Sequence, residues 1–420
     1  MIIAHLTYDR RSLAACSFTS RSWYRAAVPH LHCTLTAQTG YWAYAKIKWP
    51  KPLEMASQFG FLPFVTRVSV SASFEDRVSA EDFTFSGWTR RKFSALTNVQ
   101  ELSIERFDIP SFIPRMREYF GQFSPTLRSL TLTIVKGTGR QVAYFIGLFP
   151  HLEDVDLQAI LPYAWEKQGI GLSEIFQLLY WGYIGGNKEA DPTLVPPFVP
   201  PLRGRLTVRS GGDIAKGMTD LFGELRFRHM SLRGDRIQHL LHACPNTLET
   251  LELDADYLCG KKPSSEDMEA LGNDFTGGSH RDLDLSRNRS LRELEIPAKT
   301  LIQVLRFGPP VTISSSFKAV LSAVRSSTFS DVIIIYQKGD FYHDVYSKKT
   351  RDEFGDEETW YHRQFEVFRA MYEARDYRLV LLASSVGDES VRELKRAVAA
   401  ERAKGGVPSE IEMPYTLMPY

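Results

Sequence analysis

The sequence predicts an α/β solenoid, a ladder of parallel strands with outer helices, and three observations carry that reading. The first is a spacing, Leu127-x-x-Leu130-x-Leu132, that returns again and again. It recurs as Val65-x-x-Val68-x-Val70, Val99-x-x-Leu102-x-Ile104, Leu152-x-x-Val155-x-Leu157, Phe227-x-x-Met230-x-Leu232, Leu248-x-x-Leu251-x-Leu253, Leu291-x-x-Leu294-x-Ile296 and Phe329-x-x-Val332-x-Ile334. Leu202, Leu206 and Val208 form a degenerate copy with one extra residue. The second is a change of period between most copies, from two to about 3.6. The third is punctuation: Pro150, Pro245 and Gly308-Pro309-Pro310 stand where a helix must stop before the next strand.

The last part of each frame alternates as a short strand, so its apolar residues enter a core and the residues between them face outward. One such unit cannot bury its apolar side alone, whereas a stack of units supplies the missing wall. The segments 140–152, 213–225, 236–248 and 317–329 carry the helical period and are expected as the amphipathic helices. The repeat spans 60–340, with insertions at 161–201 and 259–286. The first insertion holds FQLLYWGYIGG and then DPTLVPPFVPP, whose prolines favour an extended path, read as a stiff loop packed on the protein's own surface or as a peptide ligand for a proline-reading domain. The second is polar and Gly-rich. Residues 341–420 are expected to cap the far end: a helix from Trp360, a strand at Leu379 to Leu382, and an amphipathic helix from Asp388 to Lys404.

Residues 1–35 do not fit the frame, and 36–59 reads as a linker. The opening, MIIAHLTYDRRSLAACSFTSRSWYRAAVPHLHCTL, reads as a helix end through Ile2, Ile3 and Leu6, and a polar turn from Asp9 to Arg11. A short helix follows through Leu13 and Cys16, and a further helix opens at Ser20 as N-cap with Trp23, Ala26 and Ala27 on one face.

The repeat resembles the leucine-rich repeat of the irregular long type, best in LLHACPNTLETLELDA at 240–255. The opening resembles the F-box, through Ile2, Ile3, His5 and Leu6, then Arg11 to Leu13, Cys16 and Ser17, then Ser20 to Trp23, and Ala26, Ala27 and Leu31. The two together are similar to fungal F-box proteins with leucine-rich-like repeats. That resemblance implies a substrate-recognition subunit of an SCF-type ubiquitin ligase. Its adaptor-binding residues would be Ile2, Ile3, Leu6, Leu13, Cys16, Ser17 and Trp23, docking on the Skp adaptor and through it on a cullin scaffold. The family motif normally opens with Leu-Pro-x-Glu ahead of the position of Ile2, and the chain starts after it. A truncated F-box, with weak adaptor binding, is the expectation. Three other readings remain open: a helical cap that shields the end of the array, a leucine-rich-repeat interaction scaffold without ligase association, and a hydrolase built on an unrecognised site.

Composition narrows the classes. Fifty-one Lys and Arg stand against 50 Asp and Glu, a formal charge of +1, so no long-range field draws the chain to nucleic acid or to an anionic membrane. Cys16, Cys33, Cys244 and Cys259 are few and lack a C-x-x-C pair, which suits free thiols in the cytoplasm or nucleus. No enzyme, cofactor or metal is expected. Gly137-Thr138-Gly139 and Gly169-Ile170-Gly171 lack the third glycine of a dinucleotide turn. His239-x-x-His242-x-Cys244 has no second ligand pair at zinc-site spacing, and neither a G-x-S-x-G nor an H-E-x-x-H motif occurs.

Recognition of an unidentified protein target is therefore expected from the outward strand residues. Neighbouring strands stack these in columns. Arg205, Arg209, His229 and Arg233 are expected as a basic patch, with Glu252, Asp254, Glu293 and Glu295 as an acidic one beside it.

Overall fold

Each copy of the apolar frame becomes a strand. The strands are β1 (Thr34–Gln38), β2 (Arg67–Ser71), β3 (Glu101–Glu105), β4 (Ser129–Lys136), β5 (Asp154–Leu161), β6 (Arg205–Arg209), β7 (His229–Arg233), β8 (Thr250–Leu253), β9 (Glu293–Pro297), β10 (Asp331–Tyr336) and β11 (Arg378–Ala383). The structure, a computed structural model, describes residues 9–38, 50–71, 95–161, 195–209, 212–233, 238–253, 284–298, 301, 320–337, 357–374, 377–383 and 388–404. The chain divides into two units, Met1–Leu225 and Arg226–Pro419. In the first, β1 to β6 lie side by side in sequence order, all parallel. In the second, β7 to β11 do the same.

The register follows the frame. Val68, Leu102, Leu130, Val155 and Leu206 stand opposite one another in turn, and all are essentially fully buried. In the second unit Met230, Leu251, Leu294, Val332 and Leu379 form the equivalent row. A one-residue slip would turn each row to solvent, so the burial fixes the pairing.

A second regularity comes from the backbone. Where each strand begins, one carbonyl accepts from two successive N–H groups of the next copy. In the first unit the Cys33 carbonyl accepts from Thr66 and Arg67, Thr66 from Gln100 and Glu101, Gln100 from Arg128 and Ser129, and Arg128 from Glu153 and Asp154. In the second, the carbonyls of Arg228, Glu249 and Arg292 each do the same. Side chains just ahead of the frame add to this. The hydroxyls of Thr126, Thr247 and Thr328 donate to the carbonyls of Val99, Phe227 and Leu291, each the first apolar residue of the preceding copy. Copies of different length are thus joined by one repeated connection.

The helices, numbered along the chain, are α1 (Arg10–Thr19), α2 (Arg21–Leu31), α3 (Pro50–Gln58), α4 (Ile109–Phe112), α5 (Met116–Phe120), α6 (Gly139–Ile146), α7 (Gly212–Phe222), α8 (Gln238–Ala243), α9 (Glu357–Ala374) and α10 (Asp388–Ala403). The expected helices at 140–152, 213–225 and 236–248 form as α6, α7 and α8. Gly137-Thr138-Gly139 opens α6: Thr138 is its N-cap in a capping box with Gln141. α7 crosses α6 very closely, since a Cβ on Gly217 would stand 2.2 Å from the Gly139 carbonyl carbon. Between β3 and β4, Phe107 and, from α5, Phe120 pack against Phe145 of α6, and Phe112 of α4 packs on Phe107, all buried in tilted and edge-on pairs.

The ends differ from expectation. The segment 36–59, read as a linker, holds the end of β1 and α3. The β1 copy reads His32-x-x-Leu35-x-Ala37, and His32 stacks on Phe61 at 3.7 Å in place of an aliphatic contact. That substitution hid the copy from an apolar pattern. The distal region matches its expectation closely, as α9, β11 and α10. Of the expected insertions, only 161, 195–201 and 284–286 are described, and the chain's final MPYTLMPY lies outside the described residues.

Candidate functional site

Two surfaces collect the residues that the sequence singled out. The first is the α1–α2 pair. Asp9 caps α1 by accepting from the Arg11 and Ser12 N–H groups at 3.0 and 3.1 Å. The Ser12 hydroxyl bonds the same carboxylate, and these bonds, that hydroxyl first, hold the Asp9 carboxyl below its ordinary value. Ser20 caps α2 by accepting from the Trp23 N–H, as its position predicted. Leu13 is fully buried, so it holds the helix pair together and does not face outward. Cys16, Ser17 and Trp23 are half-buried, and the Ser17 hydroxyl donates to the Ala14 carbonyl. Ile2, Ile3 and Leu6 lie outside the described residues. The outward apolar groups are ones the pattern passed over: Phe18, 88% exposed, and Tyr24, 47% exposed. Phe59, 59% exposed, and Phe198, 46% exposed, are comparably open elsewhere on the chain.

The second surface is the outward face of the strands. In the first unit it carries Arg205, exposed on β6, whose backbone N–H donates to the Asp154 carboxylate at 2.6 Å. The Arg67 and Glu101 side chains pair at 3.0 Å across β2 and β3. In the second unit the columns run as the frame requires: His229 opposite Thr250 opposite Glu293, and Ser231 opposite Glu252 opposite Glu295. The Thr250 hydroxyl donates to Glu293 at 3.1 Å. The side chains of Arg209 and Arg233, and the whole of Asp254, lie outside the described residues.

The structure regroups one residue. His229, expected in a basic set, stands with Glu252 and Glu295, and the ligand atoms of the three lie within 4.8 Å of one another. His229 Nε2 is 3.7 Å from Glu295 Oε2, with both side chains more than four-fifths buried. One imidazole and two carboxylates in this arrangement are chemically able to hold a divalent cation. The sequence placed each residue in its column, but their convergence depends on side-chain reach and left no sequence signal. The helical set considered earlier is used otherwise: His242 Nε2 lies 3.6 Å from an Asp284 oxygen, and the side chain of His239 lies outside the described residues.

The proline segment lies on its own unit, as expected: Phe198 N–H donates to the Gly147 carbonyl at 3.0 Å, and Pro196 closes on Gly147. Val195, Phe198 and Val199 nevertheless remain exposed. Among the described residues no helix is long and apolar enough to cross a membrane. Comparison of the sequence with protein-family models gives no match, and comparison with curated proteins gives none.

Proposed function

We propose that the chain is the substrate-recognition subunit of an SCF-type ubiquitin ligase: a short F-box-like helical module followed by an irregular leucine-rich-repeat solenoid. The first docks on the Skp adaptor and, through it, on a cullin scaffold; the second binds a protein target. Ubiquitin transfer is then the work of the partners, and the chain itself is no enzyme. The observation that carries the reading is the α1–α2 pair. It bears the Leu13, Cys16-Ser17, Trp23 pattern, leads directly into β1, and leaves Phe18 and Tyr24 outward. A cap that only closes an array has no need of the full Leu13, Cys16-Ser17, Trp23 pattern. The outward strand residues, including Arg205, Glu252, Glu293 and Glu295, supply a charged, patterned face for the target. The free thiols of Cys16 and Cys33 fit a cytoplasmic or nuclear location.

Co-purification with the Skp adaptor tests the reading. We expect capture when a Leu-Pro-x-Glu opening stands ahead of Ile2. Phe18→Asp should abolish it, because the change puts a charge into an apolar contact at a side chain that is 88% exposed within the chain. Equal capture by parent and Phe18→Asp would remove α1 as the docking face. Absence of capture in both, with the opening added, would favour a repeat scaffold with no ligase association.

A further inference from the structure

We propose that His229, Glu252 and Glu295 form a binding site for a divalent first-row metal ion of the zinc type, on the outward face of β7, β8 and β9. The register builds it. Glu252 and Glu295 stand directly opposite each other on adjacent parallel strands, whose backbones are about 4.8 Å apart. Two carboxylates so placed repel, and a sheet tolerates the pair at a cost unless a positive charge lies between them. His229 comes from the neighbouring column on β7, one strand from Glu252 and two from Glu295, and its Nε2 stands 3.7 Å from Glu295 Oε2. Three donors therefore converge from three successive strands, each held by a buried row behind it.

The distances suit an ion. Zinc bonds imidazole nitrogen and carboxylate oxygen at about 2.0–2.2 Å, so ligand atoms around a tetrahedral centre stand about 3.3–3.6 Å apart. The separations here, all within 4.8 Å, exceed that range by at most about 1.5 Å, so binding would need the glutamate side chains to turn inward. The partial burial of His229 and Glu295, 16% and 18% exposed, keeps the charges from being fully screened and raises the return on a bound cation. Three protein ligands leave a fourth position open on the outward side, for water or for a donor from a bound partner. The site departs from the sequence-based expectation that the chain holds no metal, and it does not depend on the ligase reading.

The test uses the full chain, stripped with a chelator and titrated with Zn2+ by calorimetry. One saturable site is expected in the parent. His229→Asn and Glu252→Gln should each weaken it by at least about tenfold, as loss of a ligand does. Added Zn2+ should raise the melting temperature of the parent and leave that of the double variant unmoved. Without metal, Glu252→Gln should melt at or above the parent, since it removes the repulsion with Glu295, and this reading separates loss of the site from loss of the fold. The absence of a saturable site in the parent, or equal uptake by parent and double variant, would overturn the proposal.

Discussion

Single side chains carry the connections between copies, and their loss should be felt in proportion to burial. Asn288 is fully buried, and its Nδ2 donates to the carbonyls of Leu241 and Cys244 at 2.9 and 3.0 Å, closing the end of α8. Asn288→Ala removes both bonds and leaves the Leu241 carbonyl with only the Cys244 N–H as donor, so urea unfolding should report a loss of about 1–3 kcal/mol. At the surface, Asp9 offers a pH prediction. Its pKa is depressed on folding by Ser12. A depressed carboxylate stabilises the fold above the unfolded pKa, and that contribution vanishes as the pH falls through the lower, folded value. The start of α1 should therefore fray on acidification below the ordinary aspartate range. The Ser12 and Leu13 amide resonances should follow that step in the parent and lose it in Asp9→Asn.

At the level of elements, the strands were legible and the helices between them partly so. Nine copies of the frame announced β2 to β10 because Val, Leu and Ile at fixed spacing admit no other buried arrangement. β1 escaped because His32 and Ala37 stand at two of its frame positions and an aromatic stack replaces the aliphatic contact. The packing of α4 and α5 on α6 also escaped, since α4 and α5 are too short to display a period. α6 and α7 give a sharper test of packing. Gly217→Ala gains at most about 1 kcal/mol of helix propensity, yet its Cβ would overlap backbone of Gly139. Overpacking of this kind costs about 1–3 kcal/mol. The melting temperature should therefore fall, and a rise would show that the helices are not so close.

Over the whole molecule, function was less legible than fold. The columns of outward residues could be read from the sequence once the frame was known, and the register bears them out within each unit. Which of those residues meet could not, because convergence of His229 on Glu295 depends on side-chain length and direction. Nor could the sequence separate Leu13, spent on the helix pair, from Phe18, which is open. Under the receptor reading, target capture depends on the outward charges. Reversing Arg209 and Arg233 to Glu should reduce it and make the remainder less sensitive to salt, with little change in melting temperature. Capture of the same partners by the double reversal would place recognition elsewhere.

The central claim is that the chain meets its ligase through α1 and α2 and its target through the strands. Hydrogen–deuterium exchange of the full chain, with the Leu-Pro-x-Glu opening added and with or without purified Skp adaptor, addresses it most directly. The account predicts new protection in Arg10–Leu31 on adding the adaptor, with exchange along β2 to β10 unchanged. Protection on the strands, or none in the helix pair at saturating adaptor, would contradict it.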